Sequence, residues 1–114
     1  MQKISPFLWF DQTAEEAVNF YVSVFADAKV GETMRGSSAF ADREGSILTI
    51  RFELFGQQFV ALNFPSDFKF TEAVSFVVDC KDQAEVDYYW DCLSDGGEPR
   101  DCGWVKDRVG VFWQ

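Results

Sequence analysis

No histidine occurs anywhere in the 114-residue chain. That removes the commonest general base and the commonest nitrogen ligand of a transition metal. A cysteine nucleophile would lack the base that usually activates it. Cysteine is itself scarce and odd in number: Cys80, Cys92 and Cys102, with no pair at CxxC spacing. Such a set fits neither a zinc site nor a disulfide framework. No secretory leader is visible, so the expectation is a reduced cytoplasmic protein with free thiols. For each thiol a buried or bystander role outweighs a reactive one. Cys80 falls near a predicted helix N-terminus, where a thiolate is favoured, but Asp79 and Asp82 oppose ionisation.

Positive charge is also in short supply. The 10 Lys and Arg face 19 Asp and Glu, for a net charge of −9, and the basic residues form no cluster. Nucleic-acid binding needs a basic surface, and an anionic membrane would repel this chain. No apolar run approaches the ~18 residues of a membrane span. The acidity reads first as a solubility device rather than as a cationic-partner site.

What the chain does have is aromatic residues, 18% of the total with 13 Phe, and an internal repeat. Pro6 to Phe10 reads as a buried strand running through Asp11-Gln12-Thr13 into a helical pattern over Ala14 to Phe25. Val74 to Val78 reads as a second strand running through Asp79-Cys80-Lys81-Asp82 into a helical pattern over Gln83 to Leu93. Strand-like sequence follows each. A duplicated strand–helix–strands plan points to α+β architecture with a mixed sheet.

Local signals fill in the plan. Thr13 and Glu16 have capping-box spacing, and Asp82 with Glu85 makes a similar start. Ala14, Ala17, Val18, Tyr21, Val24 and Phe25 give the first helix one apolar face; Val86, Tyr89, Trp90 and Leu93 give the second its stripe. Lys29 to Arg35 predicts a strand, and Gly36 to Ser46 a loop. In Ile47 to Leu54, Leu48, Ile50, Phe52 and Leu54 alternate with Thr49, Arg51 and Glu53. Phe55-Gly56 predicts a tight turn, with Gly56 at positive φ, back into Gln57 to Asn63. The last strands are expected over Glu98 to Lys106 and Val109 to Gln114, joined across a solvated Asp107-Arg108 turn.

These residues also resemble a known family. Pro6-Phe7-Leu8-Trp9-Phe10-Asp11, Ala14-Glu15-Glu16-Ala17 and Asn19-Phe20-Tyr21 look like the opening of the PhnB-like branch of the vicinal oxygen chelate (glyoxalase/bleomycin-resistance/dioxygenase) superfamily. Phe52-Glu53-Leu54, Gly56-Gln57, Ala61-Leu62-Asn63, Gly96-Gly97-Glu98, Cys102-Gly103-Trp104 and Trp113-Gln114 continue the match. The resemblance implies an α+β fold of two βαβββ modules forming a curled mixed sheet around a pocket. Module one spans 1–64 and module two 70–114 of a single domain. The second module is expected to be truncated at its last strand, since relatives usually run on into a further helix. Homodimers are usual in the family.

Metal-using members place four ligands in the cleft, and the resemblance puts those positions on Pro6, Asn63, Ala73 and Gln114. Proline and alanine offer no side-chain lone pair, and two neutral amides are too weak to hold a divalent ion. No metal and no cofactor are therefore expected. Proteins of this kind often carry the name 3-demethylubiquinone methyltransferase. The usual nucleotide fold for methyl transfer needs a parallel sheet and a glycine-rich turn after its first strand, and Asp11-Gln12-Thr13 contains no glycine.

With the metal gone, rings and dipoles remain. Trp9, Phe10, Phe64, Trp104 and Trp113 lie on or beside strands that would border the cleft, with Asn63 and Gln114 as amides. Arg51 and Glu53 are pocket groups if their side of the strand is the concave one, and a solvated pair if it is not. The expected function is metal-independent binding of a small molecule, as a homodimer, with no nucleic-acid or membrane partner. A glyoxalase- or dioxygenase-like enzyme and a dimerising interaction module without a ligand are the alternatives.

Overall fold

The computed structural model describes residues 3–35 and 47–114. The predicted loop over Gly36 to Ser46 lies outside the described residues. The chain forms two compact units, Met1–Phe68 and Lys69–Gln114.

The first unit runs β1 (Phe7–Phe10), α1 (Ala14–Val24), β2 (Ala28–Arg35), β3 (Ile47–Leu54) and β4 (Gln57–Asn63). Its sheet has the order β1-β4-β3-β2. β1 is parallel to β4, and the other pairings are antiparallel. The alternation in β3 sets the faces: Ile50, Phe52 and Leu54 are buried while Arg51 is exposed. α1 packs on this sheet through its buried Ala14, Ala17, Val18, Tyr21 and Val24. The Tyr21 ring stacks on Phe52 at 6.0 Å, and Phe52 stacks on Phe59 at 5.1 Å. The β3–β4 turn has φ of 52° at Phe55 and 79° at Gly56. Two successive left-handed residues match the twist of a tight hairpin. The sequence had marked Gly56 alone, and holding Phe55 there costs about 1–2 kcal/mol.

The start of α1 departs from expectation. Thr13 makes no capping bond; its φ of −118° and ψ of 16° are not those of an extended cap. The Ala14 N–H instead donates to Asn63 Oδ1 at 3.1 Å. Asn63 Nδ2 donates onward to the Ile47 carbonyl at 3.2 Å. One amide thus ties helix start, β3 start and β4 end together.

The second unit contains α2 (Gln83–Ser94), β5 (Glu98–Pro99), β6 (Val105–Lys106) and β7 (Phe112–Trp113). Asp82 caps α2 as its spacing predicted, its Oδ1 accepting from the Glu85 N–H at 2.9 Å. The expected strand over Glu98 to Lys106 is instead broken. A 3₁₀ turn at Asp101–Gly103, with φ of 59° at Cys102 and 81° at Gly103, folds it into the β5–β6 hairpin. Gly97 is needed at the entry, because a Cβ there would run into the Lys106 carbonyl oxygen and lie 3.0 Å from the Asp107 backbone.

Val74 to Val78 forms not a full strand but one parallel bridge, Phe76 to Trp113. Phe76 N–H donates to Phe112 O at 3.0 Å, Gln114 N–H to Phe76 O at 2.8 Å, and Val78 N–H to Gln114 O at 2.8 Å. β7 has only 2 residues, so the ladder cannot lengthen. With this bridge the order becomes Phe76 segment, β7, β6, β5, which repeats β1-β4-β3-β2. The bridge of Leu8 to Ala61 in one unit corresponds to Phe76 to Trp113 in the other. The duplication read from sequence is therefore present as topology, and the fold is α+β with two βαβββ modules. No helix among the described residues is long and apolar enough to cross a membrane.

The Asn63 brace is testable against the expected Thr13 cap. Asn63→Ala should lower unfolding free energy by about 1–2 kcal/mol, since it orphans the Ala14 N–H and the Ile47 carbonyl. Thr13→Ala should change it by less than about 0.5 kcal/mol. Urea denaturation of both variants gives the answer; the reverse ranking would restore the capping box.

Candidate functional site

Asp107 was expected in a solvated turn, and the structure corrects this: it is the one buried charged residue among those described, 3% exposed. A carboxylate is stable there only when its oxygens are hydrogen-bonded. Oδ1 accepts from Val109 N–H at 2.9 Å and from Val111 N–H at 3.0 Å. Oδ2 accepts from the Trp113 indole N–H at 2.8 Å. The Asp107 N–H itself donates to Val111 O at 2.8 Å. This wraps the β6–β7 loop around one side chain and fixes the Trp113 ring, which also packs on Phe76 at 5.4 Å.

Above that ring, beneath α2, lies a cavity of about 360 Å³. Val86, Tyr89, Trp90 and Leu93 line it from the helix. Val78, Asp79 and Cys80 line it from the bridge segment, and Val105, Trp113 and Gln114 from the last strands. The stripe read from sequence as core is only partly so: Tyr89 and Leu93 are buried, but Val86 is 43% exposed and Trp90 is half-buried.

Two of the cavity's titratable groups, Cys80 and Tyr89, are shifted towards their neutral forms. Burial pushes the Cys80 thiol up, and Glu85, Asp79 and Asp82 push it further. Its hydrogen points to Val78 O, 3.7 Å from the sulfur. The carboxylates thus win over any helix N-terminal effect at this thiol. Burial also raises the Tyr89 hydroxyl, with Glu85 the next cause. Near neutral pH both are protonated.

The sequence-predicted site residues divide between several places. Trp113 and Gln114 share the cavity wall; Gln114 Oε1 accepts from the Ser75 hydroxyl at 3.2 Å. Arg51 and Glu53 share a different hollow, about 290 Å³, beside the β2 bulge with Lys29, Gly31, Glu32 and Gln58. They alternate with the helix-facing residues and so lie on the sheet side away from α1. Trp9 donates its indole N–H to Phe64 O at 2.9 Å and meets Phe68 edge-on at 4.9 Å. Phe10 is in the core of the first unit, Asn63 is the brace described above, and half-buried Trp104 lines neither hollow. Sequence reasoning missed Cys80, Val86, Tyr89 and Trp90 as cavity wall. The helical stripe was visible, but a stripe does not say whether its partner surface is large enough to meet it.

The residues at the positions that resemblance assigns to a metal do not fit one. Pro6 and Ala73 carry no donor atom, and the Asn63 amide is engaged at both ends. Among the described residues, no group of three or more His, Cys, Asp or Glu is placed to hold an ion.

Because the Cys80 pKa is raised in the folded state, its contribution to stability is present below the ordinary thiol range and is lost as pH rises. The unfolded chain ionises first, from about pH 8.5. The urea midpoint should therefore fall more steeply between about pH 7 and 9.5 for the native sequence than for Cys80→Ser. Parallel curves would show that the thiol is not desolvated.

Comparison with known proteins bears on the whole chain. A family model described as 3-demethylubiquinone-9 3-methyltransferase matches residues 2–114. The structure of a PhnB protein from Bacillus cereus is 34% identical, with a TM-score of 0.84, covering 99% of this chain and 97% of that one. A protein from Pseudomonas aeruginosa, 20% identical, shares the fold at a TM-score of 0.79 over 99% of this chain and 95% of its own. More distantly, the fosfomycin resistance protein FosX from Listeria monocytogenes, in complex with Mn(II) and dihydroxypropylphosphonic acid, is 12% identical at a TM-score of 0.61, over 99% of this chain and 90% of that one. Among curated proteins, none matches the sequence. The expectation that relatives run well past the last strand is not met by the Bacillus and Pseudomonas chains, which are covered almost to their full length.

Proposed function

The chain belongs to the 3-demethylubiquinone-9 3-methyltransferase (PhnB-like) family of the vicinal oxygen chelate superfamily, and on that premise we propose that it is a metal-independent small-molecule-binding protein. The observation that carries the proposal is the ring-lined cavity beneath α2. Its 360 Å³ suits a molecule of one or two rings, and Tyr89, Trp90 and Trp113 supply the stacking surface. Few convergent polar groups accompany them, which describes a holding site better than a reacting one.

Chemistry argues in the same direction. Lewis-acid catalysis of the superfamily kind needs ligands that Pro6 and Ala73 lack. Nucleophilic catalysis needs an activated group, and Cys80 is pushed towards its neutral form. Methyl transfer, the activity in the family's description, finds no glycine in the β1–α1 connection to approach a cofactor. The proposal includes a cytoplasmic homodimer. Each unit has large apolar side chains more than half exposed, Phe7 and Phe68 at 58% and 67% in the first and Val74 and Val77 at 66% and 63% in the second, apolar surface of the kind that a second copy covers.

The test uses indole as probe. At millimolar indole the melting temperature should rise by ~2 °C or more, unchanged by a chelator. Val86→Trp, which fills the cavity from the half-open helix face, should abolish the rise while leaving the circular dichroism unchanged. No rise in the native protein, or a rise that EDTA removes, would defeat the proposal.

A further inference from the structure

The cavity's charge surroundings go further than its shape. We propose that the site beneath α2 takes an organic cation, a small ring or alkyl body carrying an amine or quaternary ammonium group. This rests on the reading of that cavity as a small-molecule site and adds the chemical class.

Aromatic walls come first. Tyr89, Trp90 and Trp113 line the cavity, and ring faces attract a cation through their quadrupole. The indole N–H of Trp113 is already given to Asp107, which leaves its π system as what it can offer.

The fixed charges agree. Asp79 is on the wall, and no Lys or Arg is. Seen from the Cys80 sulfur, also on the wall, the charges that matter are Glu85, Asp79 and Asp82, all negative. The second unit's cations are directed elsewhere. Arg100 is held by Glu72 and Glu98, both at 3.7 Å, and lies over the Phe112 ring at 5.6 Å. Lys106 pairs with Glu98 at 3.7 Å and Arg108 with Asp95 at 3.0 Å. Lys69 and Lys81 are exposed and off the wall.

A metal ion would need several carboxylates in reach, and Asp79 is the wall's single one. An anion would meet only acidic neighbours. An organic cation satisfies rings and carboxylates at once, because its charge is spread and weakly hydrated. The hollow in the first unit makes a useful contrast, since Lys29 and Arg51 there mix with Glu32 and Glu53 and favour no single sign.

Three probes of similar bulk separate the possibilities: benzyltrimethylammonium, benzyl alcohol and benzoate, titrated into the full chain by tryptophan fluorescence at low salt. The cation should bind roughly three- to tenfold tighter than the alcohol, with benzoate weakest. Raising salt from about 20 to 300 mM should erode the cation's advantage and leave the alcohol unchanged. The double variant Asp79→Asn, Glu85→Gln, which keeps the Asp82 cap, should lose several-fold affinity for the cation only. Equal binding of cation and alcohol, or tighter benzoate, would overturn the cation assignment while the cavity reading stands. If none of the three binds and indole also fails, it is the cavity reading that falls. Variants are compared only after circular dichroism shows the native spectrum.

Discussion

The second unit hangs on one carboxylate. Asp107 accepts from Val109 N–H, Val111 N–H and the Trp113 indole while 3% exposed. A charge that deeply placed is tolerated only because N–H groups replace the water it has lost, and each such bond is worth about 1.5–3 kcal/mol. Remove those donors and the loop has no reason to close. Without the closed loop, β7 is not delivered to β6, and Trp113 is not presented to the Phe76 segment. The strand pairing of this unit is short everywhere, 2 residues in each of β5, β6 and β7. Backbone ladders that brief do not set their own register, so a side chain does it.

The two units solve the same topology with different materials. The first has long strands, a tight hairpin and stacked rings from Tyr21 through Phe52 to Phe59. Its internal polar tie, Asn63, serves backbone groups at the ends of elements. The second has a loop built on Asp107 and a helix whose apolar stripe is met only in part.

The fold is shared with FosX, which was solved in complex with Mn(II). In this chain two of the four positions that the resemblance assigns to ligands are Pro6 and Ala73, whose side chains have no donor atom, and the cavity described above lies between α2, the bridge segment and the last strands of the second unit. Its rings are accompanied by protonated Cys80 and Tyr89 and by fixed negative charge at its edge.

Much of this was written in the sequence. Periodicity placed both helices to within a residue or so, because a 3.6-residue stripe with a capping signal is a local property. The alternation in Ile47 to Leu54 gave the faces of β3, and the duplication gave the fold class. The absence of histidine was likewise legible from the chain alone. What needed tertiary structure was every decision that depends on a distant partner. Thr13 had the right spacing for a cap on the Glu16 N–H but makes no such bond, and the side chain that ties down the helix start is Asn63, 49 residues from Ala14 in sequence, which accepts from the Ala14 N–H. Asp107 looked like a turn residue until three N–H donors gathered round it. Whether Tyr89 and Trp90 are core or cavity wall depended on the surface that the bridge segment and the last strands present across the seam. Composition and local pattern fix what each segment can do. Which surface it meets, and how well it fills the space, is settled only when the chain closes on itself.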